Sequence, residues 1–233
     1  MSRVLVSAIV PLYNGRAHVA EAVESMLAQS VVPDEILIVD DGSTDSGADL
    51  VRGLPRVRLV GQEHSGQGAA LNRGVASSTG AFLVFLDADD RWLPEKTEAQ
   101  LRAFAADPQL HLVFGQARQF VDLTNGSSAP RSVRLGEARR VLPSRLPSAM
   151  MIRRPALERV GPFPVDRRLG ALIGWVARAD ESGLVVGSVD RVVYERRIHL
   201  RNAGIERAGE RADYAHVLKD IIDRRRRMGA PNA

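Results

Sequence analysis

Apolar runs alternate with helix-spaced apolar positions through the first half of the chain. Val4 to Val10, Ile36 to Val39, Val57 to Val60 and Phe82 to Leu86 are such runs, and each ends at polar or glycine-rich sequence. That is the pattern of strands covered on both faces. Between them, Ala17 to Gln29 carries Val19, Val23, Met26 and Leu27 at helical spacing, and Gly68 to Ala76 reads as a shorter helix carrying Ala69, Ala70 and Leu71. Pro94 suits a first helical turn, and Asp107-Pro108 stops the helix that follows it. This alternation predicts an α/β fold: a mostly parallel central sheet with helices on both faces.

The second half is less regular. Leu112 to Phe114 and Gln119 to Val121 predict strands, Thr124 to Arg140 a polar loop, and Ala149 to Ile152 is again apolar. Pro155 to Val160 predicts a short helix stopped by Gly161-Pro162, and Leu169 to Ser182 a longer one stopped by Gly183. Strands are expected near Val185 and Val192, then an amphipathic helix over about Glu206 to Arg227. At 233 residues and 45% hydrophobic content the chain reads as one domain without internal repeats.

In an open α/β sheet, ligands bind beyond the carboxyl ends of the strands. Here the first strand ends in PLYNG, the second in DDGSTD and the fourth in DADD. A turn with a helix N-cap accounts for Ser43 to Asp45. It accounts poorly for the adjacent acids Asp40 and Asp41, which repel unless a donor satisfies them. Tyr13 is either half-buried packing or a flat surface for a nucleobase whose ring N–H an acid accepts. Asp87 and Asp89 form either a surface turn or a pair aimed at a hard divalent ion. Their position, level with the other polar strand ends, favours the ion.

The segment GQEHSGQGAAL holds G-x-G at Gly66 and Gly68, but Leu71 stands where a dinucleotide fingerprint needs a third small residue, and no G-K-[ST] follows a glycine loop. No glycine-rich loop opens the chain, which also disfavours a nucleotidyltransferase.

Composition adds exclusions. The absence of cysteine rules out disulfides, thiolate metal sites and a cysteine nucleophile. The opening apolar stretch is too short for a signal-peptide pattern and reads as a strand. No apolar segment approaches the roughly 18 to 20 residues that span a bilayer, so the expectation is a soluble protein, with a cytoplasmic location as the default. All but Lys96 and Lys219 of the 32 basic residues are arginine, which sets the pI near 10.1 although net charge is only +4. Arg224 to Arg227 is either a solvated helix end or a contact for phosphate, a partner or anionic lipid at a membrane surface. No nucleic-acid partner is expected.

With these residues in hand, the chain resembles family 2 of the inverting glycosyltransferases, which have the GT-A fold. The resemblance is carried by VSAIVPLYNG, the helix ending in MLAQS, DEILIVDDGSTD, the segment ending in LNRGV, and GAFLVFLDADDRWLP. It implies a nucleotide-diphosphate sugar donor, expected to be UDP-linked, a Mg or Mn cation, and an acceptor that the sequence does not identify. Within one GT-A domain, residues 1–95 would form the Rossmann-like nucleotide-binding half, 96–205 the acceptor side, and 206–233 the C-terminal amphipathic helix and basic tail. The implied donor contacts are Pro11, Tyr13, Asn14, Asp40, Asp41, Asn72, Arg73, Asp87, Ala88 and Asp89. Tyr13 would stack near the base and Asp41 would accept from it. Asp87 and Asp89 would carry the metal with Asp90 alongside. In RRIHLRN, His199 would close over the diphosphate or ligate the metal, in the cationic company of Arg196, Arg197, Arg201 and Asn202. His18, His64, His111 and His216 carry no such expectation.

Two departures from the family pattern stand out. GALIGW lies where relatives carry G-E-x-x-D-W or G-E-D-x-D, so Ala171, Leu172 and Gly174 replace acids, and the expected base positions are Ala171 and Gly174. An inverting transfer needs a base for the acceptor hydroxyl. Asp180 and Glu181 lie off the face shared by Ala171, Gly174 and Arg178. Leu71 also replaces a basic residue that contacts diphosphate in relatives, with Arg73 nearby to compensate. A catalytically impaired relative that binds nucleotide sugar or a partner is therefore the alternative to an active transferase.

Overall fold

The computed structural model describes residues 5–122, 141–165 and 171–199, together with Lys219, Ile222 and Asp223. The polar stretch at 124–140 and nearly all of the expected C-terminal helix, including Arg224 to Arg227, lie outside the described residues.

The four apolar runs become strands β1 (Val6–Leu12), β2 (Glu35–Asp40), β3 (Val57–Gly61) and β4 (Phe82–Phe85). They pair in parallel in the order β3-β2-β1-β4. Nearly every residue of β1, β2 and β4 is buried, so both faces are covered, as their unbroken apolar character requires. Helices α1 (Val19–Leu27) and α2 (Gln67–Ser77) lie within the connections. α2 sits close on the sheet because Gly74 has no side chain: a Cβ there would lie 2.4 Å from Ile9 Cγ2. A short strand, β5 (Arg91–Trp92), follows the acidic turn and leads into α3 (Lys96–Ala106).

The second half extends the same sheet with β6 (Leu112–Val121), β7 (Val141–Pro143), β8 (Met151–Arg153) and β9 (Val186–Ile198). The strand order is β3-β2-β1-β4-β8-β6-β9-β5, with β7 on β6. β8 runs antiparallel to both β4 and β6, whereas β6 and β9 pair in parallel. Leu112 to Phe114 and Gln119 to Val121 are thus one strand, as are the segments near Val185 and Val192. Register shifts at Phe114 to Ala117 interrupt the pattern that would have marked them as continuous. Helices α4 (Arg154–Val160) and α5 (Ala171–Glu181) lie between β8 and β9 along the chain. No helix among the described residues is long and apolar enough to cross a membrane.

Candidate functional site

The polar strand ends meet at one rim. Asn14, in the left-handed region at φ 50°, ties the first to the second: its N–H donates to Ser43 Oγ at 3.0 Å, and its Oδ1 accepts the Thr44 N–H at 2.8 Å. Asp40 accepts the Ser43 N–H at 2.9 Å, so it is satisfied by its own turn. Pro11 lies in β1 opposite Val39. Ala88 Cβ lies 3.5 Å from where a Cβ on Gly15 would sit.

Asp41 is 2% exposed and accepts from the segment after β3. Its Oδ1 takes the Ser65 N–H at 2.8 Å and the Gln62 side-chain amide at 2.7 Å, and its Oδ2 takes the Gly66 N–H at 2.8 Å. His64 Nδ1 also lies 2.9 Å from Oδ2. The repulsion expected between Asp40 and Asp41 is therefore offset by donors of the chain itself. Tyr13, 48% exposed, presents its ring beside this carboxylate and stacks on His64, with centroids 4.0 Å apart and planes 22° from parallel.

The second carboxylate group is the turn after β4. One ligand atom each from Asp87, Asp89 and Asp90 lies within 4.8 Å of the others. Asp87 accepts the Gln67 amide at 2.7 Å, and its N–H reaches Ser148 Oγ at 3.3 Å. Burial, reinforced by the charge of Asp89, pushes the Asp87 carboxyl up to about 6. Asp90 is raised well above the usual range by burial and then by its two acidic neighbours. Burial also works to raise Asp89, but the hydrogen bond and charge of His199 outweigh it and hold Asp89 below the usual range. The His199 Nε2 to Asp89 Oδ2 distance is 3.0 Å. The His18 ring stands 5.1 Å from that of His199, and burial followed by the charge of Arg197 lowers the His18 pKa.

Gly66 and Gln67 join the two groups. The Gly66 N–H binds Asp41, and the neighbouring side chain of Gln67 binds Asp87. Gly66 caps α2 at φ 90°, a conformation that favours glycine. The N-terminus of α2 thus opens between the Asp41 and Asp87 carboxylates, where its dipole favours negative charge.

Asn72 and Arg73 lie farther along α2. Asn72 clamps the backbone of Phe163, donating to its carbonyl and accepting its N–H, both at 2.8 Å. Arg73 is exposed, and Leu71, two residues before it, is buried in the core. That spacing puts them about 200° apart around the helix, so the Arg73 guanidinium starts from the side away from Leu71. Leu172 and Gly174 are partly buried on α5, whose Trp175 is buried and donates to the Gly161 carbonyl at 2.8 Å. Asp180 is exposed and ion-paired with Arg145. Arg201 and Asn202 lie outside the described residues.

Sequence reasoning missed His64, Gln67, Ser148 and the buried Arg197 as organisers of the rim. Gln67 carried a signal, standing between two glycines at a helix start. His64 and Ser148 carried none.

The region 7–161 matches the Glycosyl transferase family 2 model. Among curated proteins, an uncharacterized glycosyltransferase of Nostoc sp. is 39% identical over 104 residues, 42% of this chain and 32% of that one. The putative teichuronic acid biosynthesis glycosyltransferase TuaG of Bacillus subtilis is 39% identical over 102 residues, 42% of this chain and 40% of its own. The chain thus matches well under half the length of these relatives. Residues 1–349 of S. aureus TarS, solved with UDP, superpose with a TM-score of 0.68 at 18% identity, covering 93% of this chain and 64% of that one. The TarS complex with UDP-GlcNAc gives a TM-score of 0.63 at 22% identity, covering 83% and 58%. These likenesses agree with the GT-A fold, and the family match spans most of the chain: it belongs to glycosyl transferase family 2.

Proposed function

We propose that the chain transfers a sugar from a UDP-linked donor to an acceptor hydroxyl with inversion, using Mg or Mn. The observation that carries this reading is the start of α2 at Gly66 and Gln67, set between the Asp41 and Asp87 carboxylates. A nucleoside diphosphate laid along it meets Tyr13 and Asp41 with its base and the helix N-terminus with its phosphates. UDP and UDP-GlcNAc complexes of the structurally similar TarS lend support.

The donor set suits a hard divalent ion. Asp87, Asp89 and Asp90 supply only oxygen, their ligand atoms lie within 4.8 Å of one another, and their mutual repulsion falls when a cation is shared. Asp87 and Asp89 would hold it, with Asp90 behind them and His199 orienting Asp89. A bound cation would neutralise charge on the departing diphosphate. Gln67 fixes the rotamer of Asp87, and the helix N-terminus favours the anionic leaving group.

A second reading rests on Ala171 and Gly174. With no acid at these positions, the acceptor proton lacks its usual carboxylate, and the chain would bind nucleotide sugar, or a partner, without transfer. Titration with a panel of nucleotide sugars, with and without Mn, tests donor binding; released nucleoside diphosphate in the presence of acceptors tests turnover. Metal-dependent binding without release, followed by turnover in Ala171→Glu/Gly174→Asp, selects the second reading. Failure to bind any nucleotide sugar rejects the transferase and the nucleotide-sugar-binding form of the second reading.

A further inference from the structure

We infer that His64 is a resident placeholder for the nucleobase, displaced from Tyr13 and Asp41 when the donor binds. This rests on the donor reading above. With ring centroids 4.0 Å apart, the His64 and Tyr13 rings leave no slot for a third ring between them. The same imidazole brings Nδ1 to 2.9 Å from Asp41 Oδ2 and 3.2 Å from the Asp41 carbonyl. One planar ring with one N–H therefore covers the aromatic face and occupies an acceptor position of the buried acid. Those are the two contacts a base with a ring N–H requires here.

The ring is built to leave. Its side chain is 51% exposed, so it can swing into solvent without opening the core. Its supporting segment stays fixed meanwhile, because Ser65 and Gly66 donate to Asp41 through backbone N–H groups and Gln62 through its amide. Departure exposes the Tyr13 face and one acceptor position on Asp41 Oδ2. Uracil, through N3–H, replaces both lost contacts. Cytosine turns an N3 lone pair toward the carboxylate where uracil offers N3–H, so it recovers the stack without that ring N–H bond, and Oδ2 keeps the Gly66 N–H. The exchange thus favours uridine over cytidine and lowers apparent affinity, because the competent state is only part of the population.

The test is calorimetric titration of the Mn-loaded full chain with UDP, uridine and CDP, for the wild type and His64→Ala. Removing the placeholder is expected to tighten UDP and uridine alike by about five- to tenfold, the size of one net hydrogen bond. CDP should gain less, and Mn affinity should not change. His64→Asn, which keeps a donor without a ring, should fall between. Unchanged or weaker UDP binding in His64→Ala overturns the placeholder and leaves the donor reading intact. Equal gains for CDP and UDP overturn the exchange at Asp41. If neither protein binds UDP, the donor reading falls and the placeholder with it.

Discussion

Arg197 holds Asp90 and Asp89 with two different parts of itself: its backbone N–H donates to Asp90 Oδ1 at 2.9 Å, and its Nε donates to the Asp89 carbonyl at 2.9 Å. The rest of its guanidinium binds Asp122 at 2.5 Å and Glu21, while its face lies 4.7 Å from the Phe120 ring centroid. Arg91 approaches the same ring at 4.3 Å and binds Glu21 and Glu195. The acidic turn is thus fixed from β9 through a planar fork.

Arg197→Lys keeps the charge and the backbone bond but loses the fork. Mn affinity, read by paramagnetic resonance, should fall about tenfold, equivalent to roughly one charge-assisted hydrogen bond. Arg197→Met should also cost about 3–5 kcal/mol of stability in urea unfolding, because it breaks a buried ion pair with Asp122. Unchanged Mn affinity in the lysine variant would remove Arg197 as a positioning residue.

Asp89→Asn tests the proposed cation site directly. An amide can still accept from His199 but has lost the charge, so UDP binding in Mn should weaken at least tenfold while metal-free binding stays the same. Calorimetry with and without Mn separates the two; equal loss in both would point to collapse of the turn.

Gly68→Ala probes the seat of α2. A Cβ there would lie 2.0 Å from the Pro164 carbonyl oxygen, a backbone atom that cannot swing aside. Overpacking of this kind costs about 1–3 kcal/mol. The urea midpoint should fall, and Asn72→Ala, which strands both backbone groups of Phe163, should destabilise by a similar amount.

Lys96 is fully buried, bonded to Gln100 at 2.6 Å and the Met150 carbonyl at 3.2 Å, and burial holds its pKa well below the usual lysine value. Between its depressed folded pKa and its ordinary unfolded value, the unfolded chain binds more protons. Stability therefore rises with pH in that window, by at most about 1.4 kcal/mol per pH unit. In Lys96→Met this part of the rise should vanish, which paired urea titrations across the alkaline range would show.

The strands buried on both faces were legible because burial itself writes the apolar run. β5 and β8 were not, since two or three residues become strands only through β9, β4 and β6, and no local pattern records such partners. The site divides in the same way. Asp40, Asp41 and the DADD turn announced themselves because crowded like charges need an explanation. The bond from Asn72 to Phe163, 91 residues away, left no local sign. His64 stayed silent because its partners are set by the meeting of two loops, not by its neighbours in sequence.

The bond from Arg197 to Asp90 closes a span of 107 residues, and the one from Asp87 to Ser148 a span of 61. Contacts so distant along the chain carry the loop-closure entropy of everything between their ends. The acidic turn is complete only once β9 has docked, because Asp90 and the Asp89 carbonyl take bonds from Arg197. A ligand gripping the completed turn would tie β4, in the middle of the sheet, to β9 near its edge, and its binding would protect the chain from unfolding by mass action.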